Sequence, residues 1–321
     1  MNSISQNISR RSFLSTTAAT AAAAYLSPRT LFAQASGQPP AMVVEARRTA
    51  ATAKITTQKL RGNVSVLMGS GGNIAVLPGP QGKLLVDTGI STSRPQITDA
   101  LTAIGADPIE HLINTHWHYD HTDGNPWIHS VGAKIIAHEK TRFRLSNPQT
   151  IVLFNATFPA LPADALPTLI FTDEHLLTTN GETLHLQHYD PAHTDTDISV
   201  YFADADVLHT GDTWFNGGYP FIDYSTGGHI DGMIRATKRN LATGTGSTIV
   251  IPGHGPVGNK TQLSDSLDML TAVRENVANL KQQGKSADEA VAAKPTAQFD
   301  AKFGKGFVTP DMFVKLVYQG V

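Results

Sequence analysis

The chain has 321 residues, of which 40% are hydrophobic, and a formal net charge of −2 at pH 7. A chain of this size can bury a substantial core in one large domain or two small ones, and its charge gives no indication of nucleic acid or an anionic membrane surface as a partner. It contains no cysteine, which excludes disulfides, thiolate metal ligands and a cysteine nucleophile.

The first 35 residues have the pattern of an export signal. Arg10 and Arg11 precede an alanine-rich apolar run that ends near residue 26, and residues 33–35 (Ala-Gln-Ala) have the small-x-small pattern of a cleavage site. The segment resembles a twin-arginine signal peptide, and its apolar run is shorter than the roughly 20 residues that span a bilayer. We predict cleavage after Ala35 and a periplasmic or secreted protein, exported by the twin-arginine translocation machinery and without a stable membrane anchor. A frayed alanine-rich helix is the alternative.

Residues 36–53 contain two adjacent prolines and predict a flexible arm. The main domain is predicted at residues 54–303. It opens with strand signals in pairs, separated by glycine-rich turns, at residues 64–68, 74–77 and 83–86. Residues 94–104 then have helical apolar spacing that ends at a glycine. Antiparallel hairpins followed by a helix therefore begin this domain.

The most unusual stretch, residues 114–125, reads NTHWHYDHTDGN. It brings His116, His118, Asp120 and His121 within six residues, directly behind a short apolar strand. Open α/β sheets build their sites at the C-terminal ends of strands. Imidazole and carboxylate ligands suit a divalent metal such as zinc, and four ligands so close in sequence favour two neighbouring ions over one. Solvated loop histidines are the alternative.

The order of strands followed by helices then occurs a second time. Strands are predicted at residues 134–137, 176–178, 183–187, 198–202, 207–210 and 248–251, and helices at residues 139–144, 229–241 and 262–283. We infer an α+β fold of two similar halves, each a mixed sheet backed by helices, packed sheet to sheet. Residues 147–171 have no clean period and predict either a lid or pocket wall, or an irregular core covering. The C-terminal tail, residues 304–321, predicts a short docked helix.

Three more polar residues follow or interrupt short strands in the second half: His193, Asp212 and His254. Each has glycine or proline nearby, which allows its side chain to turn towards a shared rim. A lone histidine is more often a hydrogen-bonded core residue than a ligand, so each residue alone indicates little. Considered together with the first cluster, the three residues are predicted to be further metal ligands.

In combination, HxHxDH at residues 116–121, His193, Gly211-Asp212 and Pro252-Gly253-His254-Gly255 resemble the metallo-β-lactamase superfamily over most of residues 60–260. The resemblance implies a four-layer αββα sandwich that binds two zinc ions per chain. It assigns one ion to His116, His118 and His193, the other to Asp120, His121 and His254, and a bridging role to Asp212. Asp87 matches a carboxylate that supports the ligands from behind; an ordinary acid at a helix start is the alternative.

Two features depart from the common family pattern. Zinc β-lactamases generally lack a bridging aspartate, and one large subclass has a cysteine where Asp212 stands, so this chain is not of that subclass. Residues 123–125 (Asp-Gly-Asn) replace the usual Gly-Gly after the first cluster, which leaves the loop's shape open.

Other aromatic and histidine side chains are assigned more simply. Trp117 and Tyr119 are expected to pack beneath the site. Aromatic residues that are expected to wall an apolar pocket are Phe154, Phe158, Trp214, Phe215, Tyr219 and Phe221, with core packing as an equal alternative for about half of them. The remaining histidines match no ligand position and are expected to be structural or on the surface.

The superfamily resemblance implies a zinc hydrolase that cleaves an acyl bond in a small neutral or anionic substrate: a lactone, ester, thioester or lactam. The predicted signal peptide makes it an exported one. A metal-bridging hydroxide would be the nucleophile, since zinc lowers the pKa of bound water to about 7. Asp120 would orient it and carry a proton to the leaving group. The alternatives are a class B β-lactamase, a mononuclear-iron thiol or persulfide oxygenase, and a non-catalytic metal-binding protein of the cell envelope.

Overall fold

A computed structural model describes residues 39–321 of the protein. The predicted export signal, residues 1–35, lies outside the described residues. Within the described range, no helix is both long enough and apolar enough to cross a membrane.

Most of the predicted arm is a docked helix, α1 (Ala41–Ala50). Its Val43 and Ala50 side chains are buried, and the Arg47 guanidinium donates two hydrogen bonds to the carboxylate of Asp123. Apolar burial and a bidentate ion pair together hold a short helix that would be marginal alone. This helix therefore replaces most of the flexible arm expected at residues 36–53.

The first half of the chain forms one mixed sheet and a separate small hairpin. In chain order its strands are β1 (Thr56–Lys59), β2 (Ser65–Met68), β3 (Ile74–Leu77), β4 (Lys83–Val86), β5 (Ile109–Ile113), β6 (Lys134–His138), β7 (Gln149–Ile151), β8 (Ala156–Phe158) and β9 (Leu169–Phe171). β7 and β8 pair only with each other, and the others form a sheet in the order β1-β2-β3-β4-β5-β6-β9. Its first four strands are antiparallel, whereas β4, β5, β6 and β9 are parallel.

The second half forms another mixed sheet. Its strands, which are also in spatial order, are β10 (Glu174–Thr179), β11 (Glu182–His188), β12 (Ile198–Phe202), β13 (Val207–His209), β14 (Ile249–Ile251) and β15 (Gly258–Asn259). All neighbours are antiparallel except β13 and β14. Both sheets thus begin with antiparallel hairpins and contain parallel pairing further on, although the second sheet ends with the antiparallel pair β14–β15.

The helices after α1 are α2 (Arg94–Ile104), α3 (Tyr119–Thr122), α4 (Asn125–Ser130), α5 (Glu139–Leu145), α6 (Ile230–Ala242), α7 (Lys260–Gln282), α8 (Ala287–Ala292), α9 (Ala297–Phe303) and α10 (Pro310–Gln319). α10 lies in the tail for which a docked helix was predicted, and its Phe313, Leu316 and Val317 are buried. The longest helix, α7, begins with a capping box formed by Asn259 and Gln262.

Alternation along the strands explains why the two sheets pack face to face. In β3, Ala75 and Leu77 belong to the core cluster shared with the second sheet, whereas Ile74 and Val76 belong to the cluster shared with α2 and α4. Since successive strand residues point to opposite faces, each sheet offers one face to the other sheet and one to helices. On the far side, α7 packs Leu263 against the second sheet. The predicted α+β sandwich of four αββα layers is confirmed.

Candidate metal centre

The seven predicted ligand residues lie beyond strand ends, in loops or in short helical turns. The chain leaves β5 at Ile113 and turns through an extended segment into α3, which begins at Tyr119. His116 and His118 lie in that segment, and Asp120 and His121 lie within α3 itself. His193 lies between β11 and β12, Asp212 in a single 3-10 turn after β13, and His254 just beyond β14. The structure brings all seven together.

His116, His118, His193 and Asp212 form one group, whose ligand atoms lie within 4.8 Å of one another. His118 Nδ1 lies 2.8 Å from His193 Nε2, and Asp212 Oδ2 lies 3.8 Å from His116 Nε2 and 3.5 Å from His193 Nε2. Donors about 2.0–2.1 Å from a tetrahedral zinc stand roughly 3.3 Å apart. The separations in this group therefore fit one ion.

Asp120, His121 and His254 form a second group beside the first. His254 Nε2 lies 3.2 Å from Asp120 Oδ2 and 3.3 Å from His121 Nε2. Asp212 also reaches this group, because its Oδ1 lies 3.1 Å from His121 Nε2 and its Oδ2 lies 3.3 Å from His254 Nε2. The Asp212 carboxylate thus stands between both groups.

One atom of the cluster points to a missing partner. His116 is completely buried, and its Nε2 has no hydrogen-bond partner anywhere in residues 39–321. A buried polar atom without a partner is costly and rare. With nitrogen and carboxylate donors around it and no thiolate, the donor set fits a borderline divalent ion such as zinc.

Burial and charge hold several ligands in the forms that bind metal. Burial lowers the pKa of His193 to about 4 and that of His116 well below its usual value, so both imidazoles are neutral at pH 7. Burial opposes ionisation of Asp212, but His254 and His121 outweigh it and hold the pKa of this carboxyl well below its usual value. Burial opposes protonation of His121 and His254, but Asp212 and Asp120 outweigh it and raise the pKa of His121 well above its usual value and that of His254 to about 10. An ion would displace these two protons, since neutral imidazole and ionised carboxylate are the forms that coordinate a cation.

Asp87 supports the second group from behind, where the sequence predicted a supporting carboxylate. Its Oδ2 lies 2.7 Å from His121 Nδ1, and the backbone N–H and hydroxyl of Thr115 donate to the same carboxylate at 2.8 and 2.7 Å. The His121 Nδ1–H therefore donates to Asp87, which leaves the Nε2 lone pair facing the cluster. Asp87 has a φ of +65°, a sparsely populated conformation for a residue other than glycine.

Two supporting residues were not singled out in the sequence. Asp223 Oδ2 lies 3.2 Å from His118 Nε2, so His118 presents Nδ1 to the cluster. Asp197 accepts hydrogen bonds from the backbone N–H groups of His193 and Thr194, both at 2.8 Å, and thereby shapes the His193 loop. Asp197 follows His193 by four residues and could have been considered on that ground; Asp223 lies in an irregular segment far along the chain with no local pattern.

The His254 loop is held against the first half of the sandwich. Asn73 Nδ2 donates to the carbonyls of Pro252 and Gly255, on either side of His254, at 2.9 Å each. A Cβ at Gly253 would overlap Asp212 Oδ1, so only glycine lets this backbone approach the carboxylate so closely.

The departure at residues 123–125 has a structural reason. Asp123 accepts the Arg47 ion pair and a 2.9 Å hydrogen bond from the Ser91 backbone N–H. Asn125 exchanges two side-chain hydrogen bonds with Asn114, at 2.9 and 3.1 Å. The loop after the ligands is therefore tied to α1 and to the end of β5.

A cavity of about 560 Å³ opens onto the cluster, within the usual size of a small-molecule site. Four of the aromatic residues expected to wall a pocket line it: Phe154, Phe215, Tyr219 and Phe221. Trp214 and Phe158 lie in the core instead.

Tyr119 lines the cavity rather than packing beneath the site, because it begins α3 on the open side, whereas Trp117 is buried as expected. Ile151 shows that the segment 147–171 both walls the cavity and contributes to the core.

Replacing Asp87 with asparagine should weaken metal binding about 10- to 100-fold. Asparagine has the same shape and tolerates positive φ, but its amide cannot hold the His121 tautomer as a carboxylate does. The measurement is a competition titration of the metal-depleted protein with a chromogenic chelator. Asp99→Asn, on an exposed position of α2, is the matched control and should leave the affinity unchanged. Equal affinities of wild type and Asp87→Asn would remove Asp87 from the site.

Comparison with known proteins points to one family. A sequence profile of the metallo-beta-lactamase superfamily matches residues 67–271. A hydroxyacylglutathione hydrolase from Polaromonas sp. is 29% identical over 159 residues, which cover 49% of this chain and 52% of that protein. A probable metallo-hydrolase from Methanocaldococcus jannaschii is 29% identical over 187 residues, which cover 56% of this chain and 86% of that protein. The chain thus matches about half the length of the first of these relatives.

Solved structures share the fold at lower identity. A metallo-beta-lactamase from Pontibacter korlensis aligns with a TM-score of 0.55 and 18% identity, covering 68% of this chain and 99% of that one. The sec-alkylsulfatase Pisa1 from Pseudomonas sp. aligns with a TM-score of 0.62 and 16% identity, covering 90% of this chain and 54% of that one. At these identities the likeness concerns the fold alone.

Proposed function

Because this chain belongs to the metallo-β-lactamase superfamily and is a metallo-hydrolase of that family, we propose that it is an exported dinuclear zinc hydrolase of acyl bonds. The observation that supports this most is the position of Asp212, whose two carboxylate oxygens lie 3.1–3.8 Å from imidazole nitrogens of both ligand groups. We propose that His116, His118 and His193 hold one ion and Asp120, His121 and His254 the other, with Asp212 shared.

The chain's own groups have distinct roles in the proposed reaction. When bound, the two ions supply a water of lowered pKa and polarise the substrate carbonyl. Asp120 lines the cavity and is partly exposed. Burial opposes its ionisation, but His121 and His254 lower its pKa to about 2. Its carboxylate faces both the cavity and the second ligand group, and this position supports a role in taking the nucleophile's proton and giving it to the leaving group.

Esters, thioesters and lactones are the proposed substrates, ahead of β-lactams. Asp212 adds a second carboxylate to the centre, which lowers its formal charge by one unit relative to a site without it. A lower positive charge stabilises an anionic nitrogen leaving group less and attracts the β-lactam carboxylate less. Alkoxide and thiolate leaving groups accept a proton from water or Asp120 and depend less on that charge.

The test combines metal analysis with a substrate panel on the purified mature protein. We expect two zinc ions per chain and hydrolysis of aryl esters, homoserine lactones or glutathione thioesters, with at most side activity on nitrocefin. A kcat/KM on a penicillin or cephalosporin of about 10⁵ M⁻¹s⁻¹ or more, without activity on the other substrates, would make a class B β-lactamase the better assignment. One iron per chain with consumption of a thiol or persulfide would favour the oxygenase.

Changing Arg10 and Arg11 together to lysine should retain the protein in the cytoplasm, because twin-arginine export reads the arginine pair itself. Cell fractionation with immunoblotting measures this, and N-terminal sequencing of the envelope fraction should begin after Ala35. The single change Arg29→Lys, outside the pair, is the control and should leave export intact. An envelope protein that begins at Met1 would contradict the proposal.

A further inference from the structure

Three exposed apolar side chains either line the cavity or directly adjoin its lining residues in sequence. Phe307 lines the cavity, yet 68% of it is exposed to solvent. Val152 and Leu153 are 73% and 48% exposed, and they lie between two other lining residues, Ile151 and Phe154. Large apolar side chains that remain exposed together beside a cavity indicate a surface that a ligand covers.

A row of aromatic rings leads from this mouth to the ligands. The ring centroid of Phe307 lies 5.7 Å from that of Phe154, and Phe154 lies 5.1 Å from Phe221. Phe221 in turn lies 6.0 Å from the imidazole of His118. The exposed apolar surface is thus continuous with the wall of the cavity and reaches the candidate metal centre.

The cavity has no cationic side chain away from this centre. Among the described residues that line it, none is lysine or arginine, and the aspartates and histidines are all candidate ligands. Lys305, two residues before Phe307, is exposed and does not line the cavity. A substrate carboxylate lying along the aromatic row would therefore lose water without gaining an ion pair, which is costly.

We propose that the substrate has a neutral apolar chain of medium length, which lies along the row from Phe221 through Phe154 to Phe307. This inference rests on the proposed function, since it places the acyl carbon of that chain at the metal centre. Val152 and Leu153 extend the apolar surface beyond the cavity. The far end of the substrate's apolar chain would therefore lie at the cavity mouth and not in the cavity interior.

The size of the effect follows from apolar burial. Each methylene that leaves water favours binding by a factor of about four at full burial, and by about two where one side stays exposed. For p-nitrophenyl esters below their micellar concentrations, kcat/KM should therefore rise roughly 16- to 250-fold from hexanoate to decanoate. The rise should appear mainly in KM, because the chain is bound alike before and during reaction.

The decisive variant is Phe307→Ser in the mature metal-loaded protein. The decanoate-to-butanoate ratio of kcat/KM should fall about tenfold. Phe143→Ser is the matched control, because Phe143 is also an exposed phenylalanine, 60% accessible, but lies on α5 and does not line the cavity. Its ratio should equal that of the wild type. A ratio that does not change in Phe307→Ser, or that falls equally in both variants, would overturn the proposal.

A second comparison tests charge. The p-nitrophenyl monoester of decanedioic acid has a ten-carbon chain that ends in a carboxylate, and its kcat/KM should be at least tenfold lower than that of the decanoate ester. A preference for the charged ester would contradict the inference. A dimer would also contradict the inference if sedimentation showed that Phe307→Ser dissociates it and the decanoate-to-butanoate ratio of kcat/KM did not change. The exposed apolar surface would then be an interface between two copies of the protein.

A binding measurement separates this inference from the proposed function. N-methyldecanamide is a neutral amide that has its ten-carbon chain on the acyl side, and calorimetry should show that it binds at least 16-fold more tightly than N-methylhexanamide, with about tenfold weaker binding to Phe307→Ser. If no ester of any length is hydrolysed but this pattern holds, the proposed hydrolase is wrong and the chain-binding surface remains. If esters are hydrolysed without any dependence on chain length, the hydrolase remains and the chain-binding surface is wrong.

Discussion

Replacing Asp212 with alanine should lower the metal content from two ions per chain towards one and reduce kcat/KM about a thousandfold, or roughly 4 kcal/mol of transition-state stabilisation. Two divalent cations in one site repel each other strongly, and a carboxylate between them offsets this repulsion. Asp212 is buried and contacts imidazoles of both ligand groups. Its removal therefore affects both ions at once.

Elemental analysis of the dialysed protein, together with ester hydrolysis and circular dichroism, measures the result. Asp212→Asn keeps the side-chain volume and removes only the charge, so it separates loss of metal from loss of packing. Asp190→Ala, at a largely exposed aspartate, is the control and should retain both ions. If Asp212→Ala keeps two tightly bound ions and full activity, Asp212 is not a bridge.

Replacing Asp120 with asparagine should lower kcat by about 10²- to 10⁴-fold on alkyl esters, the range typical of a lost acid–base group. On p-nitrophenyl esters the loss should be smaller, because p-nitrophenolate leaves without a proton. Asp120 lines the cavity and lies 3.2 Å from His254 Nε2, so it is exposed to a substrate as well as to the metal centre. Because Asp120 lies beside both the cavity and the metal centre, we expect its replacement to have two separable effects: weaker metal binding and slower proton transfer to the leaving group.

The dependence on the leaving group distinguishes these two effects. Loss of a metal ligand alone would slow alkyl and aryl esters by the same factor, whereas loss of a proton carrier would slow alkyl esters more. Steady-state kinetics on an alkyl and an aryl ester of the same acid, with metal content measured in parallel, provide the comparison. Asp190→Asn is the control. Equal losses on both esters would limit Asp120 to a ligand role.

Local patterns in the sequence were sufficient for most of the fold and for the candidate ligands. Alternating apolar residues predict strands whichever partner they pair with, as Ile74 to Leu77 show, because period 2 is a property of the strand itself. Four candidate ligands within residues 116–121 are recognisable because few core or surface segments combine three imidazoles and a carboxylate. The other three candidates, His193, Asp212 and His254, could be identified as ligands only in combination with that cluster.

The supporting contacts could not be predicted, since they join residues distant in the chain. Asp223 lies 105 positions after His118, and Arg47 lies 76 positions before Asp123. No local period or spacing relates such pairs. The same reason explains why the predicted flexible arm is a docked helix. Pro39 and Pro40 indicate irregular chain, but Arg47 forms an ion pair with Asp123, in the loop after the ligands, and this distant contact holds the helix in place.

By itself, the sequence determined which side chains can bind metal, that thiolates are excluded, and that strands and helices alternate in two similar halves, because these properties depend on residue type and local spacing. Only the tertiary structure decided that Asp212 stands between the two groups, which imidazole nitrogen faces the cluster, and that Phe307, Phe154 and Phe221 form one row from the cavity mouth. These features depend on distances between segments that come together when the two sheets pack, and a linear pattern contains no such distances.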